Sequence, residues 1–153
     1  MKNIDKVFVY GSLRYGMYNY EKLLKNKVKK RQLGTIKGEL YHLANKGYPA
    51  IQDGEDNIIG EVYEFYDFDK VIKELDELED YYPNNIMDSY YFREVTDVKL
   101  ENDEVILAYV YKRNSNSEFN INDDLIRIYD GDWKSYILNN SDNIWTLWKH
   151  IRD

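Results

Sequence analysis

Val7, Phe8, Val9 and Tyr10 form an unbroken β-branched and aromatic run, the composition of a half-buried strand, and Gly11-Ser12 ends it. The next apolar positions, Met17, Tyr20, Leu23 and Leu24 in "MYNYEKLLKN", recur at helical spacing. Apolar and polar residues then alternate in "LGTIKGELYHL" (33–43) and "IIGEVYEFY" (58–66). Their glycines at 34, 38 and 60 suit bent or bulged strands that curl toward a barrel. Between them, "NKGYPAIQDGEDN" (45–57) predicts a turn, a short strand and a turn, with Asp53-Gly54 as a hairpin signal. "DFDKVIKELDELED" (67–80) predicts a helix capped by Asp67 or Asp69. "YYFREVTDVKL" (90–100) and "EVILAYVYKR" (104–113) predict two strands joined by "ENDE". The tail from Ile121 predicts short helices docking Trp133, Trp145 and Trp148.

Strands come in runs and do not alternate strictly with helices, which predicts an α+β fold with a curved, largely antiparallel sheet. No repeat and no Pro- or Ser-rich linker divides the 153 residues, so one domain over 1–153 is expected.

The helix at 67–80 carries the most informative pattern. On a wheel of about 100° per residue centred on Leu75, Phe68, Val71, Ile72 and Leu78 form one apolar stripe. Glu74 and Asp76 fall at its margins, and Glu77 and Asp80 on the far side. Glu79 alone among these acids falls inside the stripe. A carboxylate there is either desolvated, which raises its pKa and suits a general base, or sits at a frayed end and curls to solvent. On the following strand Tyr91 and Arg93 share one face. They could bind an anion or orient a substrate, or form a surface cross-strand pair.

The net charge of −7 argues against a nucleic-acid partner. The one basic cluster, Lys25, Lys27, Lys29, Lys30 and Arg31, is expected as a solvated helix end. No apolar run approaches a membrane span or a signal peptide, so a cytoplasmic protein is expected. With no cysteine and two histidines, His42 and His150, no metal site and no cofactor is expected. His42 is expected on a strand surface or partly buried. "GSLRYGM" has the glycine spacing of a phosphate loop but lacks its Lys and Ser/Thr, and Ser12 has no G-x-S-x-G elbow. What remains at this turn is a backbone nest of N–H groups for an anion, or an ordinary glycine turn.

Taken together, "VFVYGSLR", "GYPAI" (47–51), "IIGEVYEF" (58–65), "LDELEDYY" (75–82), "YYFREVTDV" (90–98) and "GDWKSYI" (131–137) resemble, in this order, the γ-glutamylcyclotransferase-like family. The resemblance implies a small mixed sheet partly closed into a barrel, with helices around one cavity. It also implies a reaction in which the α-amine of a γ-glutamyl group attacks its own γ-carbonyl. This forms 5-oxoproline and releases an amine or amino acid, without a metal or a covalent intermediate. Glu79 matches the family's base. Tyr10, Gly11, Ser12 and Leu13 match the loop that binds the glutamyl moiety, and Tyr91 matches a tyrosine that bounds the pocket. The partner implied is a small γ-glutamyl substrate. The other reading is a domain that binds a γ-glutamyl or similar carboxylate without turning it over. One departure is Asp80, where many relatives carry glycine directly after the glutamate.

Overall fold

In the computed structural model of the chain the described residues are 3–140. Six strands and two α-helices follow in the order β1 (Lys6–Val9), β2 (Val28–Leu43), β3 (Tyr48–Phe65), α1 (Phe68–Leu78), β4 (Tyr91–Leu100), β5 (Val105–Arg113), β6 (Leu125–Ile128) and α2 (Trp133–Asn139). The sheet order is β3-β1-β5-β4-β2-β6, and β2 also pairs with β3. That last pairing closes the first five strands into a barrel and leaves β6 as an extra strand on β2. Among the described strands only β1 and β5 run parallel; the other pairs are antiparallel. The fold is therefore α+β and largely antiparallel, as the strand order predicts, and a mixed barrel, as the family resemblance implies.

Closure depends on bare backbone at one place. Gly34 of β2 faces Gly60 of β3 across the ladder, and Gly34 also pairs with Leu100 of β4. A Cβ on Gly34 would stand 2.7 Å from Val98 Cγ1, and one on Gly60 would strike the Val9 carbonyl. Side chains at these positions would hold β4 and β1 away from the β2–β3 ribbon.

Alternate residues line the inside. Phe8, Ile36, Leu40, Ile51, Ile58, Val62, Val98, Ala108 and Val110 form one buried cluster, to which α2 adds Trp133 and Ile137. The opposite face of β1, with Val7 and Val9, packs in a second cluster with Tyr63, Phe65 and the α1 residues Val71, Ile72 and Leu75. The apolar stripe of α1 thus meets the outer wall of the barrel, with Asp67 as the N-cap that accepts from the Lys70 N–H.

Several expectations are corrected. Asp53-Gly54 makes no hairpin. Pairing with β2 continues on both sides of it, and Gly38↔Asp56 is followed by Glu39↔Gln52, so residues 53–55 are absorbed as a bulge. The chain reverses instead at 44–47, where Gly47 has φ 83° and its N–H donates to the Leu43 carbonyl at 2.7 Å. The tail begins with a strand and not a helix. "LIRI" is too short to show a period, and the upper half of β2, Leu40–Leu43, offers it an edge. Trp133 is buried on α2 as expected, while Trp145, Trp148 and His150 lie outside the described residues.

The first helical segment is shorter than its apolar spacing suggests. It covers Tyr20–Leu24 and closes with a wide turn in which the Lys25 N–H donates to the Tyr20 carbonyl. The basic cluster is therefore a helix end only at Lys25, the C-cap of that segment. Lys29, Lys30 and Arg31 lie on β2, while Lys27 pairs with Glu74 at 2.9 Å and Arg31 with Glu61 at 3.6 Å. His42 is fully buried, and its Nδ1 accepts from Trp133 Nε1 at 3.0 Å. No helix among the described residues is long and apolar enough to cross a membrane.

Candidate functional site

The segment after β1 leaves the sheet at Gly11 and folds back on itself. The Arg14 N–H donates to the Gly11 carbonyl at 3.0 Å, and the Ser12 carbonyl accepts from the N–H groups of Asn19 and Tyr20, each at 3.1 Å. Asn19 Nδ2 also donates to Ser12 Oγ at 2.7 Å. Ser12 is thus held at both its side chain and its carbonyl, in the manner of a loop fastener.

Two further ties set the loop against the barrel wall. Tyr63 Oη donates to the Leu13 carbonyl at 2.8 Å, and Glu61 accepts from Arg14 Nε at 2.7 Å and from the Tyr15 N–H at 3.0 Å. Arg14 Nη1 reaches Asp132, the N-cap of α2, at 3.1 Å. Gly11 passes so close to Pro49 that a Cβ would lie 2.6 Å from Pro49 Cγ.

Fastened in this way, the loop keeps its own donors unspent. Among the described residues, no hydrogen bond is donated by the backbone N–H of Gly11, Ser12 or Leu13. All three residues are buried. Buried N–H groups are costly to leave without an acceptor, so three in succession make a site for water or for a ligand oxygen.

The last turn of α1 brings a carboxylate to the same place. Glu79 is the C-cap, with its N–H on the Leu75 carbonyl, and Asp80 follows at φ +50°. The Asp80 N–H donates to the Glu77 carbonyl at 3.2 Å and the Tyr81 N–H to the Asp76 carbonyl at 2.9 Å. These two bonds are those of a Schellman ending, which asks for a left-handed residue where this chain carries Asp80. Glycine would take this conformation without the cost of a Cβ. Asp80 Oδ1 meanwhile accepts from the exposed Tyr82 hydroxyl at 2.9 Å.

Glu79 lines a small cavity with Tyr10, Gly11, Ser12, Leu13, Tyr48, Pro49, Tyr91 and Tyr111. Every residue picked from the sequence as a candidate for base or binding loop therefore meets at one cavity. Tyr91 Oη donates to the Pro49 carbonyl at 2.6 Å, and Tyr10 Oη to the Tyr111 carbonyl at 2.6 Å. Burial first, and then the charge of Glu79, push the Tyr10 hydroxyl well above its ordinary range. Tyr10 therefore stays a neutral donor.

Arg93 does not join this wall. Its Nε lies 3.6 Å from Asp76 Oδ1 and its guanidinium 4.6 Å from the Tyr109 ring centroid. The cavity residues that sequence reasoning did not single out, apart from Phe8 and Val9 of β1, are Tyr48, Pro49 and Tyr111. The first two sit in "GYPAI", which was itself a signal. Tyr111 has only its place in an alternating strand. Among the described residues, no group of three or more His, Asp or Glu side chains is arranged to hold a metal ion.

A family model described as "Gamma-glutamyl cyclotransferase, AIG2-like" matches residues 7–135. A protein of Methanocaldococcus jannaschii, provisionally named a gamma-glutamylcyclotransferase, is 34% identical over 111 residues, covering 71% of this chain and 83% of its own length. YkqA of Bacillus subtilis superposes at TM-score 0.63 with 24% identity over 91% of this chain, which spans 43% of that longer one. An AIG2-like protein of Mus musculus superposes at TM-score 0.63 with 20% identity, over 86% of this chain and 89% of the other. At such identities the solved structures speak for the fold alone.

Proposed function

The chain belongs to the gamma-glutamyl cyclotransferase, AIG2-like family, and we propose that it converts a γ-glutamyl amine or γ-glutamyl amino acid to 5-oxoproline and the free amine, with Glu79 as general base. The observation that carries this reading is that one cavity is lined by Glu79 and by Gly11, Ser12 and Leu13, whose N–H groups donate no hydrogen bond among the described residues.

A γ-glutamyl group presents an α-carboxylate and an α-ammonium on one carbon. In the proposed pose the carboxylate accepts from the loop N–H groups, charge-assisted bonds that are stronger than neutral ones. The ammonium then faces Glu79. An α-amino group titrates near 8 and is mostly protonated at neutral pH, so attack needs a base beside it. Glu79 takes one ammonium proton, and the freed nitrogen attacks the γ-carbonyl carbon to close the five-membered lactam. Glu79 passes that proton to the leaving nitrogen as the bond from the carbon breaks. It then takes the second proton from the ring nitrogen and hands it on, so the lactam keeps one N–H and the amine departs as an ammonium. Glu79 is thereby restored. Holding the carboxylate in place also presents the amine to the carbonyl, and such orientation can supply roughly 7–11 kcal/mol in favourable cases. Tyr10 and Tyr91 would bound the glutamyl moiety.

The test is release of 5-oxoproline from a panel of γ-glutamyl amino acids and γ-glutamyl amines, with wild type and Glu79→Gln run side by side. Turnover by wild type alone supports both the reaction and the base. Equal turnover by both removes Glu79 from the mechanism. No turnover by a folded wild type, together with binding of 5-oxoproline, favours a carboxylate-binding domain over an enzyme.

A further inference from the structure

We propose that Asp76 is a positioning residue for Glu79, acting through its hydrogen bond to Tyr111. The inference rests on the general-base reading of Glu79.

Asp76 precedes Glu79 by three residues, so the two are neighbours along the helix surface. Its Oδ1 accepts from Tyr111 Oη at 2.6 Å, and Arg93 Nε stands 3.6 Å from the same oxygen. Tyr111 and Arg93 face each other directly across the β4–β5 ladder. A cross-strand pair therefore presents two donors to one carboxylate on the helix. The main chain of Asp76 is held too, since its carbonyl accepts from the Tyr81 N–H.

The apolar stripe of α1 cannot do this alone. Val71, Ile72 and Leu75 are buried, which presses the helix on the barrel without direction. The last turn, where Glu79 sits beyond that stripe, is where helices fray. A directional, charge-assisted bond at Asp76 is what fixes its rotation.

Tyr111 also holds the opposite side of the cavity. Its carbonyl accepts from Tyr10 Oη at 2.6 Å, and Tyr10 leads directly into the loop with the undonated N–H groups. One residue thus grips the helix of the base with its hydroxyl and the anion loop with its carbonyl. The separation between the carboxylate and the N–H donors is set through it. Burial, the bond to Asp76 and the charges of Asp76 and Glu79 hold the Tyr111 hydroxyl far above its ordinary range, so it remains a donor at any physiological pH.

The experiment measures kcat and KM for Tyr111→Phe, Asp76→Ala, Asp76→Asn and the double variant Asp76→Ala/Tyr111→Phe. Amide hydrogen exchange at Glu79 and Asp80 is followed in the same proteins. Expected are a fall in kcat of roughly ten- to a hundredfold in Tyr111→Phe and Asp76→Ala with little change in KM. The double variant should be no worse than either single one, because both remove one bond. Asp76→Asn keeps an oxygen for the Tyr111 hydroxyl and should retain most of kcat. Exchange at Glu79 and Asp80 should quicken in Tyr111→Phe and Asp76→Ala, but not in Asp76→Asn, while exchange in β1 stays unchanged. Wild-type kcat in Tyr111→Phe, additive losses in the double variant, or unchanged exchange at Glu79 would each overturn the proposal. If the wild type releases no 5-oxoproline, the proposed reaction falls, and the exchange series still decides whether Asp76 clamps the last turn.

Discussion

Arg14 Nε lies 2.7 Å from Glu61 Oε2, with the two side chains 9% and 2% exposed, and this pair pins the anion loop to β3. A pair so dry is costly to break from one side, because the survivor is left charged in a place without water. Arg14→Met is expected to lower stability by about 3–5 kcal/mol, read from the urea midpoint. The pair also sets a pH dependence. Burial alone would raise the Glu61 carboxyl, but hydrogen bonds from Arg14, Tyr15 and Tyr63 and the Arg14 charge hold it below its ordinary range. Its contribution to stability is therefore full above the unfolded-chain value of about 4.3 and lost as pH falls through the lower folded value. That acid loss should shrink in Arg14→Met.

Gly11→Ala tests the anion loop. The added Cβ would meet the Pro49 ring at 2.6 Å, so the loop or Pro49 must move. Displacing a charge-assisted hydrogen bond costs about 1.5–3 kcal/mol, which predicts a rise in KM for the γ-glutamyl substrate of roughly ten- to a hundredfold. The thermal midpoint should move far less than in Arg14→Met. An unchanged KM would remove the Gly11 N–H from the binding loop.

Asp80→Gly is expected to stabilise the protein by roughly 0.5–1 kcal/mol, since φ +50° strains any residue with a Cβ. The lost bond to Tyr82 is exposed and offsets little of this. Turnover should stay at the wild-type level. Urea denaturation and the 5-oxoproline assay check the two halves.

His42 should titrate near pH 4. Burial lowers it to about 4, and its Nδ1 must stay bare to accept from Trp133. The unfolded chain takes up this proton near 6.5. Stability from this group is thus full above 6.5 and falls as pH drops toward 4, by roughly 3 kcal/mol in all. This window lies above that of Glu61, so the two losses separate on one stability-versus-pH curve. An NMR titration of the imidazole in the folded protein that centred on 6.5 would sink the assignment.

Local pattern was a good guide wherever one element decided the matter. The stripe of Val71, Ile72 and Leu75 and the position of Glu79 on it follow from a period of 3.6 residues. The break at Gly11 follows from a β-branched run that stops. Pattern misled where an element is stabilised by a distant one. Asp53-Gly54 reads as a hairpin because local turn chemistry favours it, yet β2 pairs on both sides and turns it into a bulge. "LIRI" carries no period, and becomes a strand because β2 reaches beyond β4. His42 reads as a strand residue of uncertain face until Trp133, ninety-one positions away, supplies its donor.

The sequence by itself determined the α+β class, the curled sheet with its glycines at 34 and 60, the helix that carries Glu79 on its apolar stripe, and the break of the first strand at Gly11. Each of these depends on residues close together in the chain, whose propensity and period are local properties. Only the tertiary structure decided that Tyr111 holds Asp76 with its hydroxyl and Tyr10 with its carbonyl, that Arg93 serves Asp76, and that Arg14 is paired with Glu61. Those contacts join residues 17 to 101 positions apart. They exist because the barrel closes and brings the register of β4 and β5 against α1, and no periodicity along a single chain encodes that register.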